Sequence, residues 1–341
     1  MTQPWWMWAG FTVFVLSVLA LDLGVFHRKA HAVTTKEAGI WTAVWVSMAV
    51  IFGIGIHFTM GPQPALEFAA GYLVEEALSV DNLFVFILVF TYFRVPEELR
   101  HRVLFWGIIG ALVMRGAMIA AGAVLIERFH WIIYVFGAFL VYTGIKMAVK
   151  GEEDIDPEHN PVLRMVRRAV PVTHGYRGQK FFVHEALPGT TGPVRRMATP
   201  LFVVLVLVET TDLVFAVDSI PAIFGVTRDP FIVYTSNVFA ILGLRSLFFL
   251  LSGVITKFHY LRFGLAAVLA FVGIKMLVSG YYHVPIALSL GMIALLLGGS
   301  IVASLVFPQR PDVAEIHGSH DIEQVGDGIP DEEQAPRQDA V

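Results

Sequence analysis

The sequence predicts an all-α polytopic membrane protein, with about nine transmembrane helices around an inverted three-plus-three helix repeat. Three observations carry this expectation. The 341 residues are 56% hydrophobic and only 15% charged, where soluble domains carry about 25% charged residues; the mean hydropathy is +0.68. The apolar residues gather in runs of about 20, long enough to cross a bilayer as helices. Two parts of the chain also repeat each other in the order of their charged residues.

Nine spans can be drawn, at roughly 5–26, 40–60, 66–92, 103–126, 129–149, 199–224, 231–252, 262–280 and 284–306. The first opens with Trp5, Trp6 and Trp8 and has no Lys or Arg before it. It therefore lacks the basic start of a signal peptide and reads as a retained span, with the tryptophans as an interfacial belt. Of the 24 Lys and Arg, 18 fall in loops on one side, two (Arg128 and Arg228) fall on the other, and four lie within spans. The positive-inside rule then puts the N-terminus outside and the C-terminus in the cytoplasm of a bacterial inner membrane. An odd number of spans also puts the two termini on opposite sides.

Organisation follows from these spans. Residues 1–60 hold two N-terminal helices, 66–149 a first three-helix unit, 150–198 a linker, 199–280 a second unit, 284–307 a last helix and 308–341 a tail. In the first unit an acidic stretch is followed by Arg115 and then Gly144-Ile145-Lys146-Met147-Ala148-Val149-Lys150-Gly151. In the second it is followed by Arg245 and then Gly273-Ile274-Lys275-Met276-Leu277-Val278-Ser279-Gly280. The octapeptides agree at six of eight positions, and the Arg-to-Lys intervals are 31 and 30 residues. Three spans per unit is an odd number, so the second unit must be inverted, a plan that places a transport site between the halves.

The acidic stretches are Glu75-Glu76-Ala77-Leu78-Ser79-Val80-Asp81-Asn82 and Asp212-Leu213-Val214-Phe215-Ala216-Val217-Asp218-Ser219. Carboxylates within a membrane span are costly and point to function. Glu75, Asp81, Asn82, Asp212, Asp218 and Ser219 are the candidate metal ligands, with Glu76 and Glu209 as secondary acids. All offer oxygen, and neither stretch holds histidine, so the donor set suits a hard divalent cation such as Mn²⁺, Mg²⁺ or Ca²⁺. Six residues along a regular helix leave an acid and its following Asp about 120° apart. Either they serve different points of a path, or the helix is broken, which Pro221 favours in span 6. Arg115, Lys146, Arg245 and Lys275 are the candidates for charge compensation or proton coupling. A scaffold in which these four bases merely neutralise four acids remains the alternative.

The absence of cysteine excludes disulfides, thiolate metal sites and cysteine nucleophiles. No nucleophile–base pair or nucleotide motif argues for an enzyme, and no permanently bound cofactor is implied. The linker is expected to hold a short basic amphipathic helix at 160–168 and a hairpin with its turn at 188–192. Its basic residues reflect cytoplasmic placement, not nucleic-acid binding. Nine acids against two arginines make the tail an acidic, disordered segment.

At these residues the chain resembles the TerC family of integral membrane proteins, including its Alx branch. The resemblance rests on Glu75 to Phe86 (EEALSVDNLFVF), Ala198 to Phe202 (ATPLF), Glu209 to Phe224 (ETTDLVFAVDSIPAIF) and Asp229 to Arg245 (DPFIVYTSNVFAILGLR), and covers about 5–307. It implies a LysE-like three-plus-three core and a link to tellurium resistance. It further implies export of Mn²⁺, with Glu75, Asp81, Asp212 and Asp218 as the functional acids. The expected partners are membrane lipids and the transported ion, with a stress-resistance complex, Ca²⁺ or another solute as alternatives.

Overall fold

The computed structural model describes residues 3–21, 34–150, 163–165, 168, 170–173, 175–185, 195–252, 260–282 and 284–307. The expected tail, the turn at 188–192 and most of the expected amphipathic helix lie outside these residues. The described elements are α1 (Trp5–Leu21), α2 (Thr35–Met60), α3 (Pro62–Tyr92), α4 (Glu97–Arg128), α5 (Ile132–Lys150), strands β1 (Phe182–Glu185) and β2 (Arg195–Ala198), then α6 (Pro200–Val226), α7 (Pro230–Leu251), α8 (Leu261–Val278) and α9 (Ile286–Val306).

Seven of these helices are long and apolar enough to cross a membrane: α2 and α4 through α9. The protein is thus a helical, multi-pass membrane protein. The described part of α1 is 17 residues, and α3 carries Glu67, Glu75, Glu76 and Asp81 along its 31 residues; length excludes the first and charge the second.

Local chemistry explains the helix starts. Proline opens α3, α6 and α7 at its first helical position, where the missing N–H is an orphan anyway. The Thr34 hydroxyl caps α2 by accepting from the Glu37 N–H, and Asp229 caps α7 through Phe231 N–H at 2.9 Å. Gly61, at φ 98°, turns the chain directly from α2 into α3.

Burial sorts the helices into centre and rim. The most apolar 18-residue window of α7 is 94% buried, against 17% for those of α2 and α9. So α7 is enclosed by protein, while α2 and α9 turn most of their surface outward. Phe52 and Phe239 meet at 4.9 Å and Phe52 and Phe68 at 5.3 Å, locking α2, α3 and α7 together.

The chain runs back and forth between two faces. On one, the antiparallel β1–β2 hairpin pairs Phe182 with Ala198 and sits against the α3–α4 turn. There the Tyr176 hydroxyl donates to the Phe93 carbonyl at 2.7 Å, and Arg102 donates to Gln179 at 3.1 Å. Burial pushes the Tyr176 phenol up to about 12, so it remains a donor at physiological pH. On the opposite face lie Gln3, which donates to Asp229 in the α6–α7 turn at 3.0 Å, and the α8–α9 turn.

Helix α5 packs most extensively on α8, and α4 packs on α6 and α7. The α5–α8 seam is closed by small residues. A Cβ at Gly273 would sit 2.6 Å from the Gly137 carbonyl oxygen, and one at Gly144 would sit 2.7 Å from that of Ala266. Gly273→Val therefore forces the seam apart. It is expected to destabilise the protein by about 1–3 kcal/mol, as overpacking does. Gly10→Ala, whose new Cβ meets nothing within 4 Å, should leave the thermal midpoint in detergent unchanged.

Candidate functional site: a buried arginine between two carboxylates

Arg115, on α4, is 2% exposed, and it faces Glu75 on α3 (0%) and Asp212 on α6 (3%). Its Nε donates to Asp212 Oδ2 at 3.1 Å and its Nη2 to Oδ1 at 2.7 Å. The remaining nitrogen, Nη1, forms a close ion pair with Glu75 Oε1. The planar fork of a guanidinium suits this arrangement, binding one carboxylate with two parallel bonds while still offering a donor to another. Deep burial leaves the carboxylates few other ways to be compensated. Two acids against one base still leave a charge of −1.

One turn before Asp212, Glu209 shares its face of α6. The two carboxylates line a cavity of about 10 Å³, with Arg245 of α7 on another wall and Gly107 and Ala111 of α4 closing it. That is room for about one water or one bare ion. The Glu209 carboxylate lies over Gly110, where any side chain would collide with it, and its Oε2 is buried without a hydrogen-bond partner. Arg245 Nη1 is 3.4 Å from His101 Nε2. Titratable groups thus run inward from the hairpin face: His101, Arg245, the cavity with Glu209 and Asp212, Arg115, then Glu75.

The remaining predicted residues are placed differently. Asn82 and Ser219 are each 1% exposed. They lie seven residues beyond Glu75 and Asp212, on the same helical stripes, and Asn82 Oδ1 and Ser219 Oγ have no partner. Asp81 and Asp218 are only half-buried and turn to other sides of α3 and α6. Asp218 accepts from the Thr143 hydroxyl of α5 at 3.3 Å, and the Lys146 charge acts on it. Glu76 is within reach of the Tyr72 hydroxyl and keeps a buried, unpartnered Oε2. Lys275 stands apart from the centre, in a second cavity on the face opposite the hairpin.

The expected break in the second acidic helix is not present: α6 runs unbroken from Pro200 to Val226 with Pro221 inside it. Enclosure by neighbouring helices tolerates the proline, which has no N–H to give the Val217 carbonyl beside Asp218. Because both acidic helices are regular, each splits its two acids between different sides. Among the described residues no three His, Asp or Glu side chains form a ready metal-holding group; the Arg115 guanidinium fills the space between Glu75 and Asp212.

Three residues at these places were not among the predicted set, His101, Thr143 and Glu67, and neither was a fourth polar residue, Asn237 of α7. Asn237 is 1% exposed with both side-chain polar atoms unpartnered. The available signal was a lone amide in the apolar run after Asp229.

The model of the integral membrane protein TerC family matches residues 60–312. Membrane protein STKORF319 of Myxococcus xanthus is 54% identical over 300 residues, covering 88% of this chain and 92% of its own. The "Putative membrane-bound redox modulator Alx" of Escherichia coli O157:H7 is 44% identical over 330 residues, covering 94% and 98%. A membrane protein of Rickettsia bellii is 39% identical over 299 residues, covering 88% and 97%. No solved structure matches. With acidic motifs, helical architecture and relatives in agreement, the chain belongs to the TerC family of integral membrane proteins.

Proposed function

We propose that this protein exports a divalent metal cation, Mn²⁺ foremost, from the cytoplasm across a bacterial inner membrane, in exchange for protons. The observation that carries the reading is the Arg115 guanidinium held between Glu75 and Asp212, beside an ion-sized cavity. Around it three carboxylates, Glu75, Glu209 and Asp212, stand against two guanidiniums, Arg115 and Arg245. With all five ionised the centre carries −1. Either a proton or a metal cation relieves that excess, and those are the two species such an exporter exchanges. Arg115 then acts as a tethered cation that occupies the carboxylates when the metal is absent.

Two further features support this reading. The cavity is sized for an ion, where an organic solute would call for a roomier apolar pocket. The swapped seam contacts, Gly273 on Gly137 and Gly144 on Ala266, exchange when the two units exchange. Gly144 and Gly273 head the matching octapeptides, and Gly137 and Ala266 each lie seven residues before them. A two-fold relation of this kind supports the inverted repeat. The 18-to-2 split of Lys and Arg then makes the hairpin face cytoplasmic. The Alx relatives are named redox modulators; with no cysteine, this chain would influence redox chemistry through the metal it moves. The family link to tellurium resistance would be equally indirect, since an oxyanion suits an acidic site poorly.

A non-transporting scaffold of a stress-resistance complex is the second reading, because a static bundle would also pair Arg115 with Glu75 and Asp212. Radiolabelled Mn²⁺ efflux separates the two, using wild type, Glu75→Gln and Asp212→Asn at matched expression. The exporter reading expects efflux in wild type and its loss in both variants. No wild-type efflux of Mn²⁺ or Ca²⁺ under any imposed pH gradient would favour the scaffold.

A further inference from the structure

The second cavity is much larger than the first, about 460 Å³, and opens on the face opposite the hairpin. It is walled by the start of α3, the α6–α7 turn and the end of α8, and Glu67 and Lys275 both line it. Glu67 is held in place from two sides. It accepts a short hydrogen bond from the Thr227 hydroxyl and one from the Gln63 amide at 3.1 Å. Those are neutral donors, and an ionised carboxylate has further lone-pair sites. The other acid there, Asp229, is already engaged by the Phe231 N–H and by Gln3. Arg228 also lines the cavity but is exposed to solvent. The partly buried charges left inside are Glu67 and Lys275, which act on each other electrostatically. Thr227, Ser279 and Tyr282 add hydroxyl oxygens to the lining.

Glu67, Gly71 and Glu75 follow one another at four-residue intervals on one stripe of α3, so the two acids are about 12 Å apart along the helix. Between them, a Cβ at Gly71 would lie 2.9 Å from Ser236 Oγ and 3.7 Å from an Ile223 methyl. Packed side chains of α6 and α7 therefore stand between this cavity and the central arginine.

We propose that the cavity is a second cation site, on the extracytoplasmic side, in which Glu67 receives a hydrated divalent cation and Lys275 competes with the cation for that carboxylate. An oxygen-lined cavity with one oriented carboxylate suits a hard cation that keeps part of its water. A tethered ammonium beside it keeps the site weak, as release demands. The assignment rests on the exporter reading for its place in the path, but its test does not depend on transport.

The absence of cysteine makes a single Ser279→Cys a clean reporter in the full-length protein in sealed vesicles. A membrane-impermeant maleimide added to the extracytoplasmic side should label it. Mn²⁺ on that side should slow labelling about tenfold at a concentration about ten times its Kd. Adding Glu67→Gln should abolish the protection, Glu67→Asp should retain part of it, and Lys275→Met should shift it to lower Mn²⁺. Labelling only from the hairpin side, labelling indifferent to Mn²⁺, or protection that survives Glu67→Gln would each overturn the assignment. Efflux measured on the same vesicles keeps the two readings apart. Protection without efflux would remove the exporter reading and leave the site, whereas efflux without protection would remove the site alone.

Discussion

Arg115→Ala is expected to leave little folded protein in the membrane. The substitution strands Glu75 and Asp212, at 0% and 3% exposure, without the one cation that binds both. Removing one partner of a buried ion pair costs about 3–5 kcal/mol, and native domains have only about 5–15 kcal/mol in total. Arg115→Lys should recover only part of this, because a single ammonium cannot reproduce the two-bond fork on Asp212. The informative variant is the triple change Arg115→Met, Glu75→Gln and Asp212→Asn. It removes all three charges and should regain much of the stability, because what destabilises Arg115→Ala is unpaired charge and not lost volume. Membrane abundance and thermal midpoint in detergent, followed through the seven tryptophans, give the readout. Wild-type stability in Arg115→Ala would mean that the two acids are neutralised some other way.

The sequence made the architecture readable because each crossing helix is an apolar run and each loop carries its charge openly. It says less where helices are charged at their ends. The apolar run marks 103–126, while the helix α4 starts at Glu97; its first two turns hold Glu97, Glu98, Arg100 and Arg102 and project past the apolar run. The octapeptides around Lys146 and Lys275 could be aligned from sequence, yet their surroundings differ, one near Asp218 and the other in the cavity with Glu67. Nor could spacing say which acid meets Arg115. Helical geometry allowed Glu75 and Asp81 to point about 120° apart, but choosing the one that faces inward needs the neighbouring helices. Pro221 misled for a related reason: a break is forced where the freed carbonyl has no surroundings to accommodate it, and α6 is enclosed along that stretch. His101 escaped notice because its meaning depends on Arg245, 144 residues away.

Asp212→Asn should show the opposite pattern to Arg115→Ala: a folded protein that moves metal poorly. Asparagine keeps the shape and one oxygen acceptor for the guanidinium, and Arg115 retains its ion pair with Glu75. The pair is then neutral, so burial costs less than in the stranded-acid case, and the lost charge-assisted bond is worth about 1.5–3 kcal/mol. What disappears is the excess negative charge beside the cavity. Mn²⁺ efflux is therefore expected to fall about tenfold to a hundredfold, the equivalent of about 1.4–2.8 kcal/mol of binding. Glu75→Gln should behave alike if the two units contribute equally. Binding can be read without transport. Saturating Mn²⁺ should stabilise the wild type against heat by about 2.7 kcal/mol at a hundred times its Kd, and should stabilise Asp212→Asn measurably less. Unchanged efflux and unchanged Mn²⁺ stabilisation in Asp212→Asn would mean that the carboxylate serves only to hold Arg115. The site would then have to be sought at Asp81 and Asp218. Those half-buried acids already have a neutral hydroxyl and a lysine at hand on one side, Thr143 and Lys146 beside Asp218. A cation could meet Asp218 without displacing the Arg115 guanidinium, so the two outcomes distinguish a path through the protein's charged centre from one along its flank.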